Sequence, residues 1–210
     1  ELRRHAPFTA LGSMSGVLIM LALWHWHAPY RVSATLFWTL HPLHVLLSAL
    51  VTTAMYRRHA PGRWWRLLVI GYIGAVGIGT LSDALIPFAG EWMLGLPRRA
   101  VHIGCIEKWW LVNPLALLGM AIGAAWPHTR VPHAGHVLLS SWTSLFHMMM
   151  AMDGAVSLLT AVAVVTFIFI AVWMPCCTSD IVVPLLFMPK ESTSAGAGEE
   201  PCAPHTLNSH

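Results

Sequence analysis

The stretch "HPLHVLLS" at residues 41–48 returns as "HAGHVLLS" at residues 133–140, 92 positions later. Each copy sets two imidazoles three residues apart, so on a helix they share one face. Both copies lie in apolar sequence, which prompts a search for a longer repeat. "PFTALGSMSG" at 7–16 and "PLALLGMAIG" at 114–123 both fit Pro-x-x-x-Leu-Gly-x-x-x-Gly. "SDALIP" at 82–87 and "SDIVVP" at 179–184 both fit Ser-Asp-x-x-x-Pro. Three motifs in the same order, at similar offsets, point to an internal duplication.

Composition supplies the setting. Of 210 residues, 56% are hydrophobic and 10% charged, where soluble domains carry about 25% charged residues. Mean hydropathy is +0.63. Windows of about 18 or more apolar residues can cross a bilayer core of about 30 Å. Tryptophans gather near their ends (Trp24, Trp26, Trp38, Trp64, Trp65, Trp109, Trp110, Trp126), as in interfacial belts. The chain therefore reads as an all-α polytopic membrane protein with six transmembrane helices, roughly 7–26, 34–56, 65–86, 109–126, 134–152 and 155–174. Helices satisfy their own backbone in lipid. The first apolar segment lacks a small-residue cleavage site and reads as a span rather than a removable leader.

Residues 1–96 form a first three-helix repeat, 97–108 an inter-repeat loop, 109–188 a second three-helix repeat, and 189–210 a disordered tail rich in Ser, Gly, Glu and Pro. Three spans per unit is an odd number, so the second unit enters the membrane upside down. That makes two inverted three-helix repeats, an architecture of secondary transporters. Apolar sequence runs on past each Ser-Asp motif, which predicts broken or re-entrant ends there. Lys and Arg between the spans place both termini in the cytoplasm of a multi-pass cell-membrane protein. A net charge of +3, spread between spans, gives no reason to expect nucleic acid. The partners expected are the bilayer, a metal ion and, through Gly-rich span 3 (Gly71, Gly74, Gly77, Gly79), a homodimer.

Each unit can assemble two imidazoles and a carboxylate: His41, His44 and Asp83 in one, His133, His136 and Asp180 in the other. Such a set suits Zn²⁺, Mn²⁺, Fe²⁺, Co²⁺ or Ni²⁺. Ser48, Ser82, Ser140 and Ser179 are placed to orient those ligands. Cys176 and Cys177, where the first unit has Gly79 and Thr80, add thiolates to the second set. The same residue types also occur as interhelical hydrogen bonds and small buried side chains. Yet burying each ionisable group costs about 2.5–3.5 kcal/mol on insertion scales, and both units bear that cost. "FHMMMAMDG" at 146–154 offers thioethers for Cu⁺, which fits less well because consecutive residues of a helix point different ways.

The expected function is transport of a divalent transition-metal cation, coupled to protons. The alternative is a membrane-embedded metal-dependent enzyme, hydrolase or oxidoreductase, with a 2-His-1-carboxylate site. Haem fits poorly, because two histidines in one turn of one helix leave a macrocycle at most one of them. No phosphate-binding Gly-rich loop, His-Glu-x-x-His helix or nucleophile elbow is present.

Overall fold

The computed structural model describes residues 2–26, 29–59, 64–127, 130–152 and 157–177, with the side chains of 2–9, 59, 130–134, 158, 174, 176 and 177 outside that description. Every regular element among them is helical: α1 (Leu2–His25), α2 (Tyr30–His59), α3 (Trp64–Met93), α4 (Gly104–Glu107), α5 (Trp109–Ala125), α6 (Arg130–Ala151) and α7 (Leu158–Cys177). Two of them, over Tyr30–Arg58 and Trp64–Met93, are long and apolar enough to cross a membrane.

The bundle has an apolar outside, and its interior buries polar groups alongside apolar ones. Leu11, Leu18, Val69, Ile73, Leu117 and Leu159 are exposed, while His41, His44, Asp83, Glu91, His136 and His147 are buried. That distribution is the one expected where the surroundings are hydrocarbon and polar groups face one another. Trp26, Trp64, Trp92, Trp109 and Trp126 stand exposed near helix ends. Trp38 is half-buried, against Phe37 (ring centroids 4.9 Å) and His102 (5.8 Å), with the Lys108 ammonium 5.7 Å over its ring.

The two largest apolar clusters each join three helices. One packs Val45 and Ala49 of α2, Ala75 and Val76 of α3, and Val112, Ala116 and Met120 of α5. The other packs Met20 of α1, Val137, Leu145 and Met148 of α6, and Val164, Ile168 and Val172 of α7. Each core thus combines two helices from one half of the sequence with one from the other. The valine of each His-Val-Leu-Leu-Ser motif, Val45 or Val137, sits in its own core.

The small-residue helices make this exchange possible. A Cβ on Gly12 would meet Ser141 and Leu138, and one on Gly119 would meet Ala49 and Leu46. Ser141 and Ala49 are 92 residues apart, as are Leu138 and Leu46. So α1 docks on α6 and α5 docks on α2 through the same positions of the repeated motifs. At Gly119 and Gly123 the nearest atoms are the backbone carbonyls of Leu46 and Leu50, an approach that only a residue without a side chain allows.

Helix direction follows from the contacts. Leu47 touches Gly135, His44 stacks on His136, and Phe37 meets His147. As the number falls on α2 it rises on α6, so the two His-x-x-His helices are antiparallel.

The helix break expected at Ser82–Asp83 does not occur, and α3 runs unbroken to Met93. Its turns widen to i→i+5 hydrogen bonds at Ile73–Gly77 and Leu81–Leu85. Ile86 N–H reaches the Leu81 carbonyl. The next bond in that register would join residue 87 to the Ser82 carbonyl, and Pro87 has no N–H to give. The Ser144 hydroxyl on α6 donates to that carbonyl instead, at 2.9 Å. A side chain 62 residues away keeps the backbone satisfied, so the helix continues. Ser179, Asp180 and the 189–210 tail lie outside the described residues.

Candidate functional site: a buried row of imidazoles and carboxylates

The widened turn at Leu81–Leu85 rotates Asp83 into the bundle, where it is fully buried. Single π-turns inside α-helices frequently mark functional sites. Asp83 Oδ2 lies 2.9 Å from His41 Nδ1 and 2.6 Å from His44 Nδ1. Asp83 Oδ1 accepts the Ser140 hydroxyl at 2.9 Å and the Ser82 hydroxyl at 2.9 Å. Four donors converge on the two oxygens, which is the full capacity of an ionised carboxylate. Both imidazoles therefore carry their proton on Nδ1 towards Asp83.

Their other nitrogens, His41 Nε2 and His44 Nε2, are buried without a hydrogen-bond partner. Because both rings turn Nδ1 onto one oxygen, the Nε2 atoms face apart. His41 Nε2 abuts Gly104 at the start of α4, where any side chain would strike the ring. On the other side, the His44 ring stacks on that of His136 at 5.6 Å. His136 is fully buried on α6, and Ser48 is buried one turn beyond His44 on α2.

Of the residues singled out from the sequence, His41, His44, Asp83, Ser82, Ser140 and His136 are thus gathered in one place, drawn from α2, α3 and α6. Asp180 and Ser179 lie outside the described residues, as do the side chains of His133, Cys176 and Cys177. Of the methionine run, Met148 belongs to the α1–α6–α7 core with Met149 and Met152 packed against it, while Met150 packs with Phe37 and Phe146.

The row extends further than its motifs. His41 stacks on Phe37 (5.6 Å, planes 10° apart), and Phe37 meets His147 edge-on at 5.3 Å. His147 Nδ1 pairs with Glu91 Oε1 at 2.7 Å, both side chains buried. His102 stands against His147 at 5.5 Å and lies 3.3 Å from Glu107, which also accepts the Ile103 N–H at 2.9 Å. Sequence reasoning passed over Glu91. Its signal was a lone carboxylate in "IPFAGEWMLGL", eight residues after Asp83 and so two turns along the same face of α3.

Among the described residues, no group of three His, Cys, Asp or Glu is arranged to hold a metal ion as it stands. The His41–His44–Asp83 distances show why. Across a tetrahedral metal with bonds of about 2.0–2.1 Å, ligand atoms sit roughly 3.3 Å apart. The observed 2.9 Å and 2.6 Å are hydrogen-bond separations. The three donor atoms point at one another, about half an ångström too close to admit an ion. Comparison with known proteins adds no relative: no family model, curated protein or solved structure matches the chain.

Proposed function

We propose that this protein is an integral membrane transporter of a divalent transition-metal cation, coupled to protons, with His41, His44 and Asp83 as one cation site. The observation that carries the reading is the convergence of two imidazole Nδ1 atoms on one carboxylate oxygen inside a wholly buried site. Such a group is expensive to bury, and it holds protons where a cation would bind. A metal entering between Asp83 Oδ2 and the two nitrogens takes the place of the Nδ1 protons. An imidazole that binds the metal through Nδ1 keeps one proton, on Nε2; one that was protonated on both nitrogens releases the other, and that release couples the two flows. Ser82 and Ser140 keep Asp83 oriented throughout.

The multi-pass reading has six crossings in two inverted units, with both termini cytoplasmic. Two features support it. The paired motif helices α2 and α6 run antiparallel. The small-residue helices α1 and α5 dock crosswise at matching positions. In this reading His133, His136 and Asp180 form the counterpart site, with Ser48 and Ser179 orienting it and Cys176 and Cys177 near it, and Zn²⁺, Mn²⁺, Fe²⁺, Co²⁺ or Ni²⁺ is the cargo.

Metal analysis of the detergent-purified chain tests the reading. Bound Zn²⁺ or Mn²⁺ should fall in H41A and H44A, proton release should accompany binding in weakly buffered solution, and liposomes bearing the protein should show metal flux. Metal content unchanged after mutation of both His-x-x-His pairs would overturn it.

A further inference from the structure

Glu91 and His147 are not explained by the Asp83 site. Glu91 Oε1 lies 2.7 Å from His147 Nδ1 with both side chains buried, and Glu91 Oε2 and His147 Nε2 have no hydrogen-bond partner. The contrast with Asp83 lies in the number of donors. Asp83 accepts four hydrogen bonds, enough to hold a full negative charge in the interior. The Glu91 side chain makes one. An ionised Glu91 with one oxygen bare, beside a neutral imidazole, would bury a net charge with little to offset it. One more proton removes that charge, whether it rests on His147 opposite an ionised Glu91 or on Glu91 itself. The surroundings on two sides are apolar: Gly90 packs on Met148 and Phe167, and Phe37 meets the His147 ring edge-on. The titratable or charged groups facing the pair are Tyr30, Arg98 and His102, which line a cavity of about 280 Å³ alongside it. Neither bare atom is open to that cavity.

We propose that the Glu91–His147 pair is a proton-binding site, and that it carries the proton exchanged for the cation at Asp83. The exchange rests on the transport reading above; the proton site itself does not. The pair takes a proton from water and returns it to water. Its loaded state is neutral, and its empty state is an ionised Glu91 beside a neutral His147. With both bare atoms shielded, the proton is occluded in this conformation. His102 marks the way out, since its ring is 5.5 Å from that of His147 and it is 20% exposed. Phe37 closes the opposite side. It is fully buried, stacks on His41 and meets His147 at its edge, and a phenyl ring has no group to relay a proton. The two centres are thus insulated from direct leakage. They are joined instead by α3, which carries both Asp83 and Glu91 on one face two turns apart, so a shift of that one helix acts on both.

Infrared spectra and nitrogen NMR of the histidine-labelled, full-length chain in detergent test the proton directly. At neutral pH the expected result is a protonated carboxylic acid that vanishes in E91Q, or a His147 ring protonated on both nitrogens, assigned by its loss in H147Q. An ionised Glu91 beside a singly protonated His147 overturns the proposal. Should E91Q misfold, isotope-labelled glutamate in the wild-type chain identifies the acid by the shift of its carbonyl band. Zn²⁺ uptake into liposomes tests the exchange. E91Q should spare the Zn²⁺ binding that H41A and H44A remove, and lower the protons moved per cation by about one. Unchanged proton movement in E91Q overturns the exchange. A chain that holds the proton but binds no Zn²⁺ sustains the proton site and removes the Asp83 reading instead.

Discussion

His44 and His136 hold the same place in the two motifs, and their rings stack on each other, 5.6 Å between centroids and 29° between planes. Antiparallel helices α2 and α6 therefore cross at equivalent residues. His44 links that crossing directly to Asp83, at 2.6 Å.

Asp83 is the strongest single test of the site. D83A leaves two buried imidazole N–H groups without their acceptor, while the Ser82 hydroxyl still has the Gly79 carbonyl at 3.1 Å. Removing one partner of a buried ionic group costs about 3–5 kcal/mol. D83N keeps the shape and one carbonyl oxygen, so its loss should be smaller. Denaturant unfolding in detergent measures both, and both variants should lose metal binding at this site.

The glycine contacts predict an order of damage. G119A and G123A press a methyl into the backbone carbonyls of Leu46 and Leu50, which cannot rotate away. Overpacking of this kind costs about 1–3 kcal/mol, and occasionally more. G12A meets the Ser141 hydroxyl at 2.6 Å, which can turn only by giving up its bond to the Val137 carbonyl, and G16A finds Leu145 at 3.4 Å. Thermal melts should rank G119A and G123A worst, then G12A, with G16A nearly neutral.

Gly104 acts on the site from outside it. Its missing side chain is what lets His41 Nε2 lie against α4. G104A should push the ring off Asp83 and lower metal affinity about 10–100-fold, the usual effect of disturbing a ligand's support. Global unfolding should change less than in D83A, and calorimetric titration separates the two effects.

Ser144 and Pro87 should be coupled. S144A strands the Ser82 carbonyl in the interior, at a cost of about 1–3 kcal/mol. In a P87A background the new N–H serves that carbonyl in register, and S144A should then cost much less. A double-mutant cycle on unfolding free energy reads the coupling directly.

Much of the site could be read from residue spacing. Histidines three apart share a face whatever the tertiary fold, and the repeat flagged Asp83 and Ser140 as candidates alongside His41 and His44. What spacing cannot convey is which helix lies beside which. The exchange of α1 and α5 between cores follows from the close approach at Gly119 and Gly123, a property of the packed pair. The expected break at Ser82–Asp83 was reasonable from Pro87 alone, but its remedy comes from Ser144, 62 residues on. Glu91 escaped notice because no motif frames it and it lies beyond residue 86, where the third expected span ends.

The crossed docking of α1 and α5 has an architectural consequence. A chain severed between Leu96 and Gly104 gives two pieces, and neither possesses all the walls of either hydrophobic interior. Each would have to lend one helix, α1 or α5, to the other and borrow one in return. The smallest unit able to shut both interiors is a reciprocal pair, like two clasped hands, and a lone half would be left with its grip open.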